Sequence, residues 1–391
     1  MSPGSKRALV EAWSARYLKA SREQKGTILT EFCALTGMHR KSAIRRLRHP
    51  PEPRVGVRRP RRRRYGPSAV RVLVQIWEAA GRPWSVRLKA ALPLWLKGAR
   101  RRSAVSPATE KQLLAMSPRT MDRYLSRRRR RTDGKLFGRT KPGTLLRRQI
   151  PIQTAAWETG QLGFVEMDLV SHSGPNAAGE FLHSLNVTDL ESTWNESRAV
   201  MGKGEVGVVA ALEQIAAALP FALRGVDSDN GSEFINHHLL RYCRKRGIAF
   251  TRSRPYKKDD NAHIEQKNWT HVRRVLGWDR YDSQEALAAI NDLYRHELRW
   301  MMNLFQPSVR LLGKERIGAR LKRCYDAPQT PLDRLTQNGK AHPQRLAELV
   351  RLRQTIDPFT LSETLGRKLE TIYRLASRPA LAAPRPKRTA A

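Results

Sequence analysis

Apolar positions divide the chain into segments of different period. From Ala8 to Leu18 they recur at helical spacing. Ser21-Arg22-Glu23-Gln24 reads as a capping-type start, and Ile28, Leu29, Phe32 and Leu35 carry the period on behind it. Thr36-Gly37-Met38-His39 breaks the run, and Arg40 to Leu47 resumes it as a basic helix. A helix, a glycine turn and a basic helix predict a helix-turn-helix unit over residues 1–50. Residues 51–67 hold Pro and Arg where a core would need apolar side chains, and read as a basic linker. A second helical DNA-binding unit is expected over 68–131. Val70, Leu73, Val74, Ile76 and Trp77 give it one apolar face, and Val86, Leu88, Leu92, Leu94, Trp95 and Leu96 another. Its last helix opens at Ser117-Pro118, a good N-cap and first-turn pair. Residues 132–154 form a second basic connector.

The period then shifts. Over residues 155–305 short apolar runs alternate with helical patterns, which predicts an α/β domain. Strands are expected at Gly163–Val170, Phe181–Asp189, Trp194–Val200, Leu223–Val226 and Ile248–Arg252. Helices are expected at Gly207–Leu219, Ser232–Lys245 and from about Asn261 through Val275. Three adjacent strands, then helix, strand, helix, strand, helix is the order of an RNase H-like fold with a mixed five-stranded sheet. Residues 306–375 form a basic C-terminal region, helical at Leu346–Arg353 and Leu361–Leu375, whose strand signals are too weak to build a β-barrel. Residues from Ala376 read as a disordered tail. The expected architecture is therefore multidomain: N-terminal all-α units, a central α/β core and a basic C-terminal region.

Charge adds a partner. The chain carries 74 Lys plus Arg against 35 Asp plus Glu, a formal net charge of +39. A field of that sign and size draws polyanions, and nucleic acid is the first candidate. A membrane is the rival, but no stretch is apolar for the roughly 18 residues a span requires. The first residues show no signal-peptide core. Cys33, Cys243 and Cys324 are too few and too scattered for a disulfide framework or a tetrahedral zinc site. A cytoplasmic, nucleoid-associated location is expected. Arg40, Lys41, Arg45 and Arg46 on the first basic helix, and Arg119 and Arg123 on the second, would face phosphates or base edges. Tyr256, Lys257, Lys258, Lys267 and Arg273 are further DNA-contact candidates, equally ordinary as a solvated basic face.

Three acidic sites carry the candidate chemistry. In Gly163–Val170, alternation puts Glu166 and Asp168 on one face with Phe164 and Val170. A buried charge there costs several kcal/mol without a partner; a metal ion would supply one, and an exposed edge would avoid the cost. Asp229 stands in Ser228-Asp229-Asn230-Gly231, a strong turn signal after a strand, at the sheet edge where α/β proteins bind ligands. Alone it is as much a turn former as a ligand. Glu265 lies early in the last core helix, with Asn261 and Asn268 on its face and Trp269 one turn on. Alone it is an ordinary helical Glu.

Taken together, Met167-Asp168-Leu169, Ser228-Asp229-Asn230-Gly231-Ser232-Glu233-Phe234 and Asp260-Asn261-Ala262-His263-Ile264-Glu265 resemble the catalytic Asp, Asp, Glu triad of bacterial insertion-sequence transposases in the retroviral-integrase superfamily. Spacings of 61 and 36 residues fit, the second close to the family's gap of about 35. The segment Arg323–Leu335 looks like the stretch that follows this core in bacterial relatives. The resemblance covers about residues 155–340. It implies a DNA transposase in which Asp168, Asp229 and Glu265 are catalytic and hold two Mg²⁺ ions, with Mn²⁺ as a substitute. It would nick transposon ends and join the 3′-OH to target DNA by direct transesterification, acting as a homo-oligomer. The paired His and Cys set of the retroviral zinc-binding domain is missing, so DNA reading falls to the helical units. A nuclease without joining activity and an inactive DNA-binding regulator are the alternatives.

Overall fold

The computed structural model describes residues 3–50, 64–129, 161–228, 237–252, 264, 267–318 and 320–377. The expected connectors at 51–67 and 132–154 lie mostly or wholly outside these residues, as does the tail beyond 377. The chain divides into two compact units, Met1–Arg64 and Tyr65–Ala391.

The first unit is built from α1 (Pro3–Lys19), α2 (Arg22–Thr36) and α3 (Arg40–Arg48). Ser21 and Gln24 form the capping box that the sequence suggests, each side chain accepting from the other's backbone N–H. Gly37 ends α2 at φ 65°, where a side chain would be strained, and its N–H reaches the carbonyl of Cys33. Val10, Tyr17, Ile28, Leu29, Phe32, Ala43 and Leu47 bury each other, with Trp13 tilted against Phe32.

The second unit begins with four helices: α4 (Pro67–Ala79), α5 (Ser85–Arg102), α6 (Pro107–Ala115) and α7 (Pro118–Arg129). After them comes a five-stranded sheet: β1 (Phe164–Ser171), β2 (Leu182–Asp189), β3 (Asn195–Met201), β4 (Gly225–Ser228) and β5 (Ala249–Arg252). Its order is β3-β2-β1-β4-β5. The first three strands are antiparallel neighbours, while β4 and β5 join in parallel. Helices α8 (Glu205–Ala218) and α9 (His237–Lys245) supply the crossovers that parallel strands need. This is the mixed five-stranded sheet, in the order expected of an RNase H-like fold.

Strand β4 runs two residues later than its apolar pattern suggests, because pairing decides it. Gly225 to Ser228 lie opposite Phe164 to Met167. The backbone N–H groups of Arg224 and Gly225 both donate to the carbonyl of Gly163. Both faces of the sheet are covered. One continuous core runs from the α4–α7 helices through the sheet to Leu361, and a second gathers Leu182, Tyr281, Ile290, Leu293, Tyr294 and Ile372.

The core's last expected helix is described from Asn268, where it is π-wound to Arg273 and continues as a helical turn to Leu276. Helix α10 (Gln284–Arg295) follows, then helical turns through Phe305. Next comes a hairpin, β6 (Leu311–Ile317) and β7 (Arg320–Tyr325), and then α11 (Pro331–Asn338), α12 (Pro343–Thr355) and α13 (Pro358–Arg374). The C-terminal part is therefore mainly helical, with one two-stranded hairpin.

Candidate active site on the central strand

Asp168 sits on β1, the sheet's middle strand, and is half-buried. Both carboxylate oxygens are held. Oδ1 accepts from the backbone N–H of Leu169 at 2.7 Å, and Oδ2 accepts from Asn268 Nδ2 at 2.5 Å. Behind Asn268 runs a chain of amides. Asn268 Oδ1 accepts from Asn186 Nδ2 at 2.8 Å, and Asn186 Oδ1 accepts from Asn195 Nδ2 at 2.7 Å and from Ser197 Oγ at 3.0 Å. Asn303 closes it, trading two bonds with the backbone of Asn195. The register explains the alignment, since Asp168 pairs with Asn186 and Asn186 with Ser197. One carboxylate is thus fixed from three strands and the π-helix. Networks of this kind lock a rotamer, which a reacting group needs.

The neighbouring acids are held by groups of the protein itself. Glu166 is buried and Oε2 accepts from the backbone N–H of Ile264 at 2.9 Å. It faces neither solvent nor an open edge; it anchors the chain one residue before Glu265. Asp227 is also buried, accepting from Thr251 Oγ1 at 2.6 Å. Asp189 holds the turn after β2. It takes the N–H of Gly163 and both the N–H and hydroxyl of Ser192, while burial pushes its carboxyl up to about 6.

Asp229 and Glu265 lie outside the described residues, as do Tyr256, Lys257 and Lys258. The chain nevertheless comes to β1 on both sides. Ser228 pairs with Met167, so position 229 follows one peptide after a residue registered beside Asp168. Lys267, expected at a DNA-facing surface, is buried instead. Its ammonium donates to the carbonyl of Thr193 at 3.3 Å, and burial pulls its pKa down to about 7. A long side chain reaches inward here because that carbonyl offers an acceptor. Arg273 is half-buried, stacked 4.2 Å over the Trp278 ring, and senses the Asp168 charge. Trp269, next to Asn268, is 54% exposed. Lys41, Arg45, Arg46, Arg119 and Arg123 are exposed. Arg40 is exposed but tied to α2, donating to Thr30 Oγ1 at 3.2 Å.

The donor chemistry fits a hard divalent cation. Asp168 presents carboxylate oxygen on a half-buried strand, and hard cations prefer oxygen ligands. A separate group, Asp292, His296 and Glu297, also has donors close enough to hold a metal. The Lys368 ammonium already bridges Asp292 and Glu297, so that group is charge-matched by protein.

A family model for the integrase core domain matches residues 158–258. The uncharacterized protein y4rM of Sinorhizobium fredii is 41% identical over 337 residues, which is 85% of this chain and 96% of the relative. The chain belongs to the same family as y4rM, with an integrase core at its centre. Among solved structures, the catalytic core of BIV integrase aligns at 16% identity over 45% of this chain and 95% of that one, with a TM-score of 0.29. The HTLV-2 integrase core in complex with magnesium, in a dimeric form, aligns at 15% identity over 37% and 88%, with a TM-score of 0.27. The match to an integrase core domain supports an integrase-type, DNA-cutting and joining function. Among the described residues, no helix is long and apolar enough to cross a membrane.

Sequence reasoning singles out Asp168 but not the amides that hold it. Asn186, Asn195 and Asn303 fall within β2, β3 and the turns after α10, where asparagine is disfavoured. That misfit is the signal that could have flagged them.

Proposed function

We propose that this protein is a DNA transposase that binds transposon ends, nicks them and joins the freed 3′-OH to target DNA. Asp168, Asp229 and Glu265 are the catalytic carboxylates. The observation that carries the reading is the fixing of Asp168 by Asn268 and Leu169 on the strand beside Ser228. Two Mg²⁺ ions held by these carboxylates would supply an activated attacking oxygen and a stabilised leaving oxygen. The protein's own contribution is placement. Asn268 holds Asp168, and Glu166 ties the backbone at Ile264 to β1, ahead of Glu265. The exposed basic residues of α3 and α7, Lys41, Arg45, Arg46, Arg119 and Arg123, take the DNA backbone, and Arg273 lies within electrostatic reach of Asp168.

The test is a strand-transfer assay with labelled ends of the encoding element, run in Mg²⁺ and in EDTA, for wild type, Asp168→Asn and Glu265→Gln. Joined products are expected from wild type alone, and only with metal. Cut ends without joining would make the protein a nuclease. Full joining by Asp168→Asn would overturn the assignment. Asn268→Ala is expected to lower kcat while leaving end binding in EDTA unchanged, since it positions a catalytic group rather than holding DNA.

A further inference from the structure

Among the described residues of the second unit, the β6–β7 hairpin stands apart from the core. From Arg310 to Tyr325 it holds six Lys and Arg against one Glu. Leu312, Ile317 and Tyr325 are 62%, 55% and 51% exposed. An isolated two-stranded hairpin is marginally stable, and large apolar side chains set among cations need something to cover them.

Its base, by contrast, is built from buried polar groups. Arg334 is buried and donates to the Ser308 carbonyl and hydroxyl, the Gln329 carbonyl and the Asp326 carboxylate at 2.9–3.0 Å. Asp326 Oδ1 accepts from the N–H of Arg310 at 2.6 Å, and the N–H of Asp326 returns a bond to the Arg310 carbonyl. Ser308 and Gln329 bridge as a short ladder. Thr193 completes the base. It is buried at φ 60°, a left-handed conformation that a β-branched residue adopts only under constraint. Its hydroxyl meets Ser308 Oγ at 2.6 Å and Arg334 Nη1 at 3.2 Å, while its carbonyl takes the Lys267 ammonium. The hairpin therefore stands on a rigid foot that reaches the π-helix beside Asp168.

We propose that β6–β7 is a DNA-docking ribbon that enters the major groove of duplex DNA, a contact separate from the catalytic carboxylates. The partner's identity rests on the DNA-processing function above. A two-stranded ribbon fits the major groove, which is about 12 Å wide. Its cations neutralise flanking phosphates, and Leu312 and Ile317 supply apolar contact to base edges. Charge argues against a second copy as occupant, because two ribbons of this composition repel each other.

The full-length Asp168→Asn protein in EDTA isolates binding from cutting. Duplex affinity is read by fluorescence anisotropy across a salt series, and groove contact by protection of guanine N7 from methylation. Adding Arg316→Glu with Lys322→Glu is expected to weaken binding at least about tenfold, and to flatten the salt slope by about 0.9 for each phosphate no longer neutralised. Protection at the ribbon's footprint disappears. Leu312→Ser with Ile317→Ser is expected to remove the same protection while leaving the salt slope unchanged. Unaltered thermal unfolding shows that the exposed ribbon was changed without loss of fold. If the parent binds duplex and all ribbon variants match it, the ribbon proposal fails alone. If the parent binds no duplex at any salt, the DNA function fails with it. Variants that alter sedimentation but not DNA binding would make the ribbon a protein interface and overturn the proposal.

Discussion

Two stretches of this chain share one sequence grammar, a helix, a turn and a basic helix, and end as different objects. Residues 1–64 close a core of their own from α1, α2 and α3, and the buried residues of α2 and α3 are few: Ile28, Leu29, Phe32, Ala43 and Leu47 carry it. The α4–α7 stretch has more apolar surface than its own helices can hide. Along α5, Leu88, Ala91, Leu92, Trp95, Leu96, Gly98 and Ala99 are all buried. The surplus goes to the C-terminal part: Trp95 donates to the Phe305 carbonyl and meets the Phe359 ring edge-on at 5.2 Å. Ser362 and Gln306 reach the carbonyls at the end of α4. A narrow apolar stripe makes a module, whereas a wide one makes a layer of a larger body.

The largest effects should separate the two. Trp95→Ala removes a fully buried indole and should cost about 3–5 kcal/mol. Because that indole bridges α5 and α13, the loss should appear in the main calorimetric transition and in strand transfer together. Phe32→Ala should cost a similar amount in a separate transition, leaving the main one in place. A single shared shift from Phe32→Ala would break the comparison.

Acid should divide them next. His172 is completely buried in the second unit, its Nε2 on Ser184 and its Nδ1 without a partner among the described residues, and burial lowers its pKa to about 3. A folded value below the unfolded one means that the stability is complete above about pH 6.5 and is lost as pH falls toward 3. Between pH 6.5 and 5 that is about 2 kcal/mol. His271, buried and lowered in the same direction, adds to the loss. Asp189, held up at about 6, opposes it by taking up a proton in the folded state. Urea titrations at the two pH values should show a net loss in the second unit.

Much of this was legible in the sequence, and the failures share a cause. The Ser21 capping box, the strands and Asp168 are local patterns, and local pattern is what a sequence displays. The hairpin escapes because a strand alternates visibly only when one face is buried, and β6 instead groups its charges at 314–316, between the exposed Leu312 and Ile317. Lys267 reads as a surface cation because nothing near it in sequence announces the Thr193 carbonyl that receives it. Glu166 reads as a charge that needs a partner if buried, but that partner, the Ile264 amide, lies 98 residues away. The fusion of α4–α7 to the rest is likewise a matter of distant residues.

If both basic helices bind DNA, the two stretches should remain alike in this one respect. Replacing Lys41, Arg45 and Arg46 by Ala, or Arg119 and Arg123 by Ala, should weaken duplex binding several-fold in each case and lower the salt slope by about 0.9 per phosphate released. Anisotropy titrations on catalytically silent protein would measure it. A response from only one helix would confine DNA reading to that stretch.

The smallest effect is the sharpest, because one substitution should change sign. Gly26 lies inside α2, and a methyl group there would meet nothing within 4 Å. Gly26→Ala should stabilise the first unit by about 0.5–1 kcal/mol through helix propensity and a less disordered unfolded chain. Gly98 lies inside α5, but a methyl there would come 2.7 Å from Asp357 Oδ1 and 3.0 Å from the Phe359 ring. Asp357 caps α13 by accepting the Phe359 N–H at 2.9 Å, so yielding to the methyl loosens the cap. Overpacking and a damaged cap each cost about 1 kcal/mol or more, which exceeds the propensity gain. Gly98→Ala should therefore lower the main transition. A rise in both transitions would mean that α5 does not press on α13 as closely as these distances require.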